Sequence, residues 1–184
     1  FLPSYYDAQF KVSKKFKSGD ELYFIGLGAI DEFKFNLDAE PTLANQTILD
    51  RLPIAPQWNY TVGAGYRHLV DNGNWLFTIS RNMLDNKATK YFRNIETPEN
   101  LLSDYQSQEM ENKFRIDREF RIGEVKMSAG GNFNHSKYNN RSFLKSVSQN
   151  AFQLDNYASD ISLNQYGFYA QASQKFFNGK VNLS

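Results

Sequence analysis

The sequence predicts an all-β chain, an antiparallel up-and-down meander of about eight strands. Three observations predict it. Apolar and polar residues alternate with period two through most of the recognisable elements, as on a sheet with two unlike faces. Aromatic residues, 16 Phe, 11 Tyr and 2 Trp, supply much of the apolar content and favour strands over helices. Short glycine-containing breaks alternate with long polar ones, and the short-break glycines fall at 19, 73, 123 and 179, so a hairpin repeats about every 50 to 56 residues.

The first strand runs from about Tyr5 to Phe16, with Ala8, Phe10, Val12 and Phe16 on one face and Gln9, Lys11, Ser13 and Lys15 on the other. Lys17, Ser18, Gly19 and Asp20 turn the chain. The second strand, Leu22 to Ile30, has Tyr23, Ile25, Leu27 and Ala29 as its apolar side. Gly26 and Gly28 lie opposite them, where a sheet bends or backbones approach closely. A long segment from about Asp31 to Pro56 follows, with a short helix around Thr42 to Arg51. In the third strand Trp58, Tyr60, Val62, Ala64 and Tyr66 alternate with Asn59, Thr61, Gly63, Gly65 and Arg67.

Asp71, Asn72, Gly73 and Asn74 carry tight-hairpin chemistry and lead into a fourth strand with Trp75, Phe77 and Ile79 on one face. A second long polar segment spans Met83 to Leu101. The fifth strand, Leu102 to Ile116, is weakly patterned and heavily polar. A short connection from Arg118 to Gly123 precedes the sixth strand, Val125 to Asn134, and a third long segment covers His135 to Ser162. The seventh strand spans Gln165 to Ser173. Phe177 to Lys180 then turn into an eighth, Val181 to Ser184.

In a meander this alternation of breaks puts every short turn at one end of the sheet and every long loop at the other, the asymmetry of bacterial outer-membrane barrels. Strands of about 9 to 12 residues match a tilted bilayer crossing. The faces rich in Gly, Ser, Thr, Asn and Gln suit a wet lumen. Aromatics near strand ends, among them Tyr5, Trp58, Trp75 and Phe133, suit an interfacial girdle. The expected fold is therefore part of a large transmembrane β-barrel, open or partly closed as a fragment. A mean hydropathy of -0.60 and the lack of any apolar run of about 18 residues exclude a spanning helix, not a barrel whose two faces average out.

Basic and acidic residues number 21 and 20 and are spread along the chain, so no nucleic-acid partner is expected. Without cysteine there is no disulfide, thiolate zinc site or Cys nucleophile. His68 and His135 have no carboxylate at ligand spacing and read as polar strand-end residues. Asp31 with Glu32, and Glu109 with Glu111, have no Ser, His or Lys partner suggested by spacing. No helix follows Gly26-Leu27-Gly28, so it is no phosphate loop. Neither an enzyme nor a cofactor is expected. Loop residues Lys87, Lys90, Tyr91, Arg93, Lys137, Tyr138 and Arg141 are the candidates for contact with an anionic or sugar ligand.

Three stretches carry a family resemblance: Leu52 to Leu69 (LPIAPQWNYTVGAGYRHL), Leu76 to Asn94 (LFTISRNMLDNKATKYFRN) and Tyr166 to Ser184 (YGFYAQASQKFFNGKVNLS). The chain resembles the middle of the barrel of a TonB-dependent receptor of the kind abundant in Bacteroidetes, in barrel texture and without a catalytic signature. The resemblance implies a barrel of about 22 strands in the bacterial outer membrane, closed by a plug domain. It also implies import of a scarce nutrient such as a ferric siderophore, cobalamin or a glycan. The partners implied are outer-membrane lipid, the rest of the barrel and its plug, TonB acting through the plug, and a small nutrient ligand. Residues 1–184 read as a single fragment of the barrel domain, since the chain begins at Phe1 and stops at Ser184 within a strand. The alternative is a soluble all-β ligand- or carbohydrate-binding module, with the aromatics sealed against a second sheet or a helix layer.

Overall fold

The computed structural model describes residues 2–36, 40–148, 151–176 and 181–183. Eight strands follow one another: β1 (Leu2–Lys15), β2 (Glu21–Lys34), β3 (Gln57–Val70), β4 (Gly73–Tyr91), β5 (Leu101–Ile122), β6 (Val125–Ser148), β7 (Ala151–Phe176) and β8 (Val181–Leu183). Each pairs antiparallel with the next, so sheet order is sequence order. Seven strands are long, and β8 adds three residues against the end of β7. The meander is open: among the described residues no pairing closes it into a barrel.

The register sorts the side chains into two unlike faces. Val12, Phe24, Ala64, Ile79, Phe114, Phe133 and Tyr166 form one continuous row across seven strands. One residue away, pointing to the other side, run Lys11, Ile25, Gly63, Ser80, Lys113, Asn134 and Gln165. Period-two alternation on each strand thus becomes an apolar face and a polar face of the whole sheet. On β2 the register departs from expectation. Phe24 and Ile30 join Phe10 on the apolar face together with Gly26 and Gly28, while Tyr23, Ile25, Leu27 and Ala29 lie on the polar face. Both sides of this strand are apolar, so local alternation did not decide which side joined the neighbours' apolar row.

The long polar segments differ more. The expected loop 83–101 is strand up to Tyr91, followed by two short 3-10 turns at Phe92–Asn94 and Pro98–Asn100. Most of the expected loop 135–162 is the far ends of β6 and β7, paired from His135↔Asn164 to Ser148↔Ala151. Beyond the apolar band both faces of these strands are polar, as in His135-Ser136-Lys137-Tyr138-Asn139, so the period-two signal vanishes while the backbone ladder continues. The first long segment remains a long connection, and of the second only 92–100 does. The first holds α1 (Leu43–Arg51), whose N-cap Thr42 accepts from the Asn45 N–H at 3.2 Å. The turn expected at Phe177–Lys180 lies outside the described residues.

At the opposite end the short turns use glycines in the left-handed region, Gly19 at φ 88° and Gly123 at φ 58°. No second layer formed by the described residues covers the sheet. Among the described residues no apolar side chain is buried, and the six that are buried are polar or charged: Asp20, Asp85, Lys90, Ser107, Asp117 and Asn140.

Candidate functional site

The polar ends of β4 to β7, beyond the apolar band, hold six of the seven residues expected to face a ligand, and the register divides them. Lys87 on β4 shares the apolar-band face with Lys137 and Arg141 on β6, whereas Lys90 and Tyr138 share the opposite face; Tyr91 lies past a register shift that follows Lys90 and pairs with Leu101. They are strand residues, not loop residues, because the ladder runs on past the end of the alternating pattern. Arg93 alone lies in a connection, at φ 52° in the first 3-10 turn, with its guanidinium 5.3 Å from the Phe92 ring centroid. The seven do not form one site.

Lys90 has a structural role. Only 8% exposed, its ammonium donates to the Leu49 carbonyl at the end of α1 and to Asn94 Oδ1, and it lies 5.2 Å from the Phe35 ring centroid. Asn94 donates to the same carbonyl at 3.0 Å. Burial lowers the Lys90 pKa, opposed by the nearby Asp50 carboxylate. The ammonium thus fastens the helix and the 3-10 turn to the strand end. Lys137 is paired with Asp160 at 3.3 Å, and Lys87 and Arg141 are exposed.

On the polar face, sequence reasoning found Tyr138 but missed its partners. Tyr105 and Tyr138 bring their hydroxyls to 3.4 Å, Asn140 Nδ2 donates to the Tyr138 hydroxyl at 2.9 Å, and the Ser142 hydroxyl donates to Asn140 Oδ1 at 2.9 Å. Ser107 pairs across from Asn140, and both are buried. The Ser107 hydrogen bond pulls the Tyr105 phenol below its ordinary pKa, and the bond to Tyr105 raises that of Tyr138. Next to this cluster a depression of about 540 Å³ is lined by Asn82, Glu109, Glu111, Tyr138, Ile161 and Leu163 among others. Amide, hydroxyl, carboxylate and aliphatic groups converge there, which suits a small polar ligand. The sequence signal for the cluster was faint, since single tyrosines and asparagines acquire meaning only through register.

Nearer the short turns the same face is charged and paired. Arg115 bonds Asp117 at 2.7 Å, Tyr169 donates to Asp117 at 2.7 Å, and Lys113 meets Glu111 at 2.8 Å. The two histidines sit in polar pairs. His68 Nδ1 is 3.1 Å from Asp20, and His135 Nδ1 is 2.7 Å from Asn164. Among the described residues no group of three His, Cys, Asp or Glu side chains is placed to hold a metal.

No family model matches the chain, and neither does any curated protein or solved structure. Function is therefore read from the chemistry of the two faces.

Proposed function

We propose that this chain is a barrel-wall segment of a bacterial outer-membrane transporter of the TonB-dependent receptor type, with the apolar row against lipid and the polar face lining the lumen. The observation that carries this reading is the row Val12–Phe24–Ala64–Ile79–Phe114–Phe133–Tyr166, on a face that no described layer covers. Exposed in water, such a face would be a severe aggregation liability. Hydrocarbon removes that penalty, and a sheet closed by further strands into a barrel is one of the two backbone solutions that hydrocarbon tolerates.

The slope of the apolar band supports the same reading. Its upper edge lies at Trp58 on β3, Met83 on β4, Met110 on β5, Phe133 on β6 and Tyr166 on β7. Tyr166 shares its row with Ala64 of β3, and the six positions from Ala64 to Trp58 amount to about 20 Å of strand, against about 19 Å for the four strand spacings from β3 to β7. A level boundary with that slope requires strands tilted by about 45°, as in membrane barrels. The short turns step down in the same direction, from Lys15↔Glu21 through Val70↔Gly73 to Ile122↔Val125.

Strand length supports it too. The 24 residues of β6 and 26 of β7 extend about 80 Å or more, and at this tilt rise about twice the ~30 Å hydrocarbon thickness, so their polar halves stand clear of the membrane. Three charges interrupt the band. Arg81, near its upper edge, donates to Tyr60 Oη at 3.0 Å, Asn112 Oδ1 at 3.2 Å and Met110 Sδ at 3.3 Å. Arg118, between Ile116 and Phe120, lies 5.2 Å from the Trp75 ring centroid and 5.7 Å from that of Phe120, with one buried nitrogen that has no hydrogen-bond partner among the described residues. Lys14, near the short-turn end, lies 5.5 Å from the Phe16 ring centroid. The Tyr105–Tyr138 cluster and the adjoining depression then face the vestibule through which a small nutrient passes.

Fractionation tests the reading. The protein should be recovered with the outer membrane, need detergent for extraction and migrate differently on gels before and after heating. Recovery as a detergent-free soluble monomer that unfolds cooperatively would overturn it in favour of a soluble all-β binding module.

A further inference from the structure

Above the apolar band, the side chains of that same face turn polar and planar. Gln108, Asn139 and Asp160 form one row across β5, β6 and β7, and Gln106, Arg141 and Ala158 form the next. Together they line a depression of about 630 Å³. Ala158 places a methyl group in an otherwise polar row, which opens space beside Arg141. Beyond Arg141 the depression continues to Phe143 and Asn156.

We propose that this cleft binds a saccharide. The two glutamine amides are held in place from behind, since Nε2 of Gln106 and of Gln108 both donate to Asp85 Oδ2, at 3.2 and 2.9 Å. Asp85 is 1% exposed, and its other oxygen has no hydrogen-bond partner among the described residues. With the amide nitrogens tied to that carboxylate, the glutamine carbonyl oxygens remain as acceptors for ligand hydroxyls. Arg141 supplies the opposite kind of group, an exposed guanidinium with no ion pair or hydrogen bond among the described residues. Phe143 adds an aromatic surface next to it.

Donors, acceptors and an aromatic ring at close quarters match a sugar ring, which carries hydroxyls on its rim and C–H groups on its face. A simple anion fits less well. The cations Lys87, Lys137 and Arg141 on this surface are balanced by Asp85, Asp104 and Asp160.

Asn139 lies six positions above Phe133 at the band's edge, about 20 Å of strand and about 14 Å of height at a 45° tilt. If the chain is oriented as proposed above, that is the saccharide layer of an outer-leaflet glycolipid. A free saccharide would present the same hydroxyl chemistry, and the source is settled by the choice of probe.

The detergent-purified protein is titrated calorimetrically with deacylated lipopolysaccharide core and, separately, with a neutral glucan oligosaccharide. Binding of the core alone identifies a lipid-borne sugar, and binding of the glucan a free one. Arg141→Ala, which removes a side chain with no hydrogen bond or ion pair among the described residues, and Ala158→Phe, which fills the cleft, should each weaken binding at least tenfold. Gln165→Ala on the opposite face should leave it unchanged. No binding of either probe, or binding indifferent to both cleft substitutions, overturns the proposal. A protein that fractionates as soluble yet loses sugar binding in Arg141→Ala would keep the cleft and remove its membrane setting.

Discussion

Phe10 lies directly across the β1–β2 ladder from Gly26, and its ring occupies the space a β-carbon on Gly26 would need. Tyr169 covers Gly130 in the same way across β6 and β7. A strand glycine gives up side-chain packing, and a cross-strand ring laid over its backbone restores some of it. Gly26→Val should push the Phe10 ring off its seat and cost about 1–3 kcal/mol. Adding Phe10→Ala to the same chain should recover part of that loss, measured as urea midpoints of vesicle-inserted protein.

Ile79 and Ser80 are sequence neighbours on opposite faces near the middle of the β4 band. Under the proposed orientation, Ile79→Arg places a guanidinium in hydrocarbon and should cost about 2–4 kcal/mol of folding into vesicles. Ser80→Arg points to the lumen and should cost much less. Equal losses from both would contradict the assignment of faces.

Asp20 ties the first short turn to the end of β3. Its carboxylate accepts the Leu69 N–H at 2.8 Å and the hydroxyls of Ser18 and Tyr66, each at 3.0 Å, and contacts His68. The backbone bond from Leu69 leads in lowering its pKa to about 2. A carboxyl more acidic folded than unfolded stabilises the fold above its unfolded pKa near 4, and this contribution is lost as pH falls from about 4 to about 2. Asp20→Asn should therefore flatten the acid limb of a stability–pH curve within that window. An unchanged limb would assign acid sensitivity to other groups.

Lys90 fastens α1 through the Leu49 carbonyl and holds Asn94 in the 3-10 turn. Lys90→Met keeps the aliphatic stem and removes the donors. Limited proteolysis should then cut within 43–51 severalfold faster, while the thermal midpoint of the sheet stays close to that of the parent, since helix release is a local opening. A large fall in the global midpoint would show that α1 supports the sheet itself.

The polar fifth strand proved to be 22 residues long, paired with β6 from Ser103 to Ile122. It lies between β4 and β6, and paired neighbours on both sides supply the order its own pattern lacks. The expected loops failed for the complementary reason. Where strands stand in water on both sides, residues such as Lys137, Tyr138, Asn139 and Asn140 have no unlike environments to alternate between, so a strand reads as a loop. The candidate site was legible in residue type and hidden in placement. Arg141 belongs to the cleft on the apolar-band face, Tyr138 to the cluster on the other, and Lys90 to neither.

The sequence by itself determined the all-β class, the antiparallel order and the positions of the first three short turns, because alternation and turn glycines are properties of neighbours along the chain. Only the tertiary structure decided which side of β2 joins the apolar row, how far β4 to β7 continue, and that Asp85, Gln106 and Gln108 meet on one face. Those depend on cross-strand register, where a slip of one residue would exchange the two faces of a strand, and register is set by contacts between residues far apart in sequence.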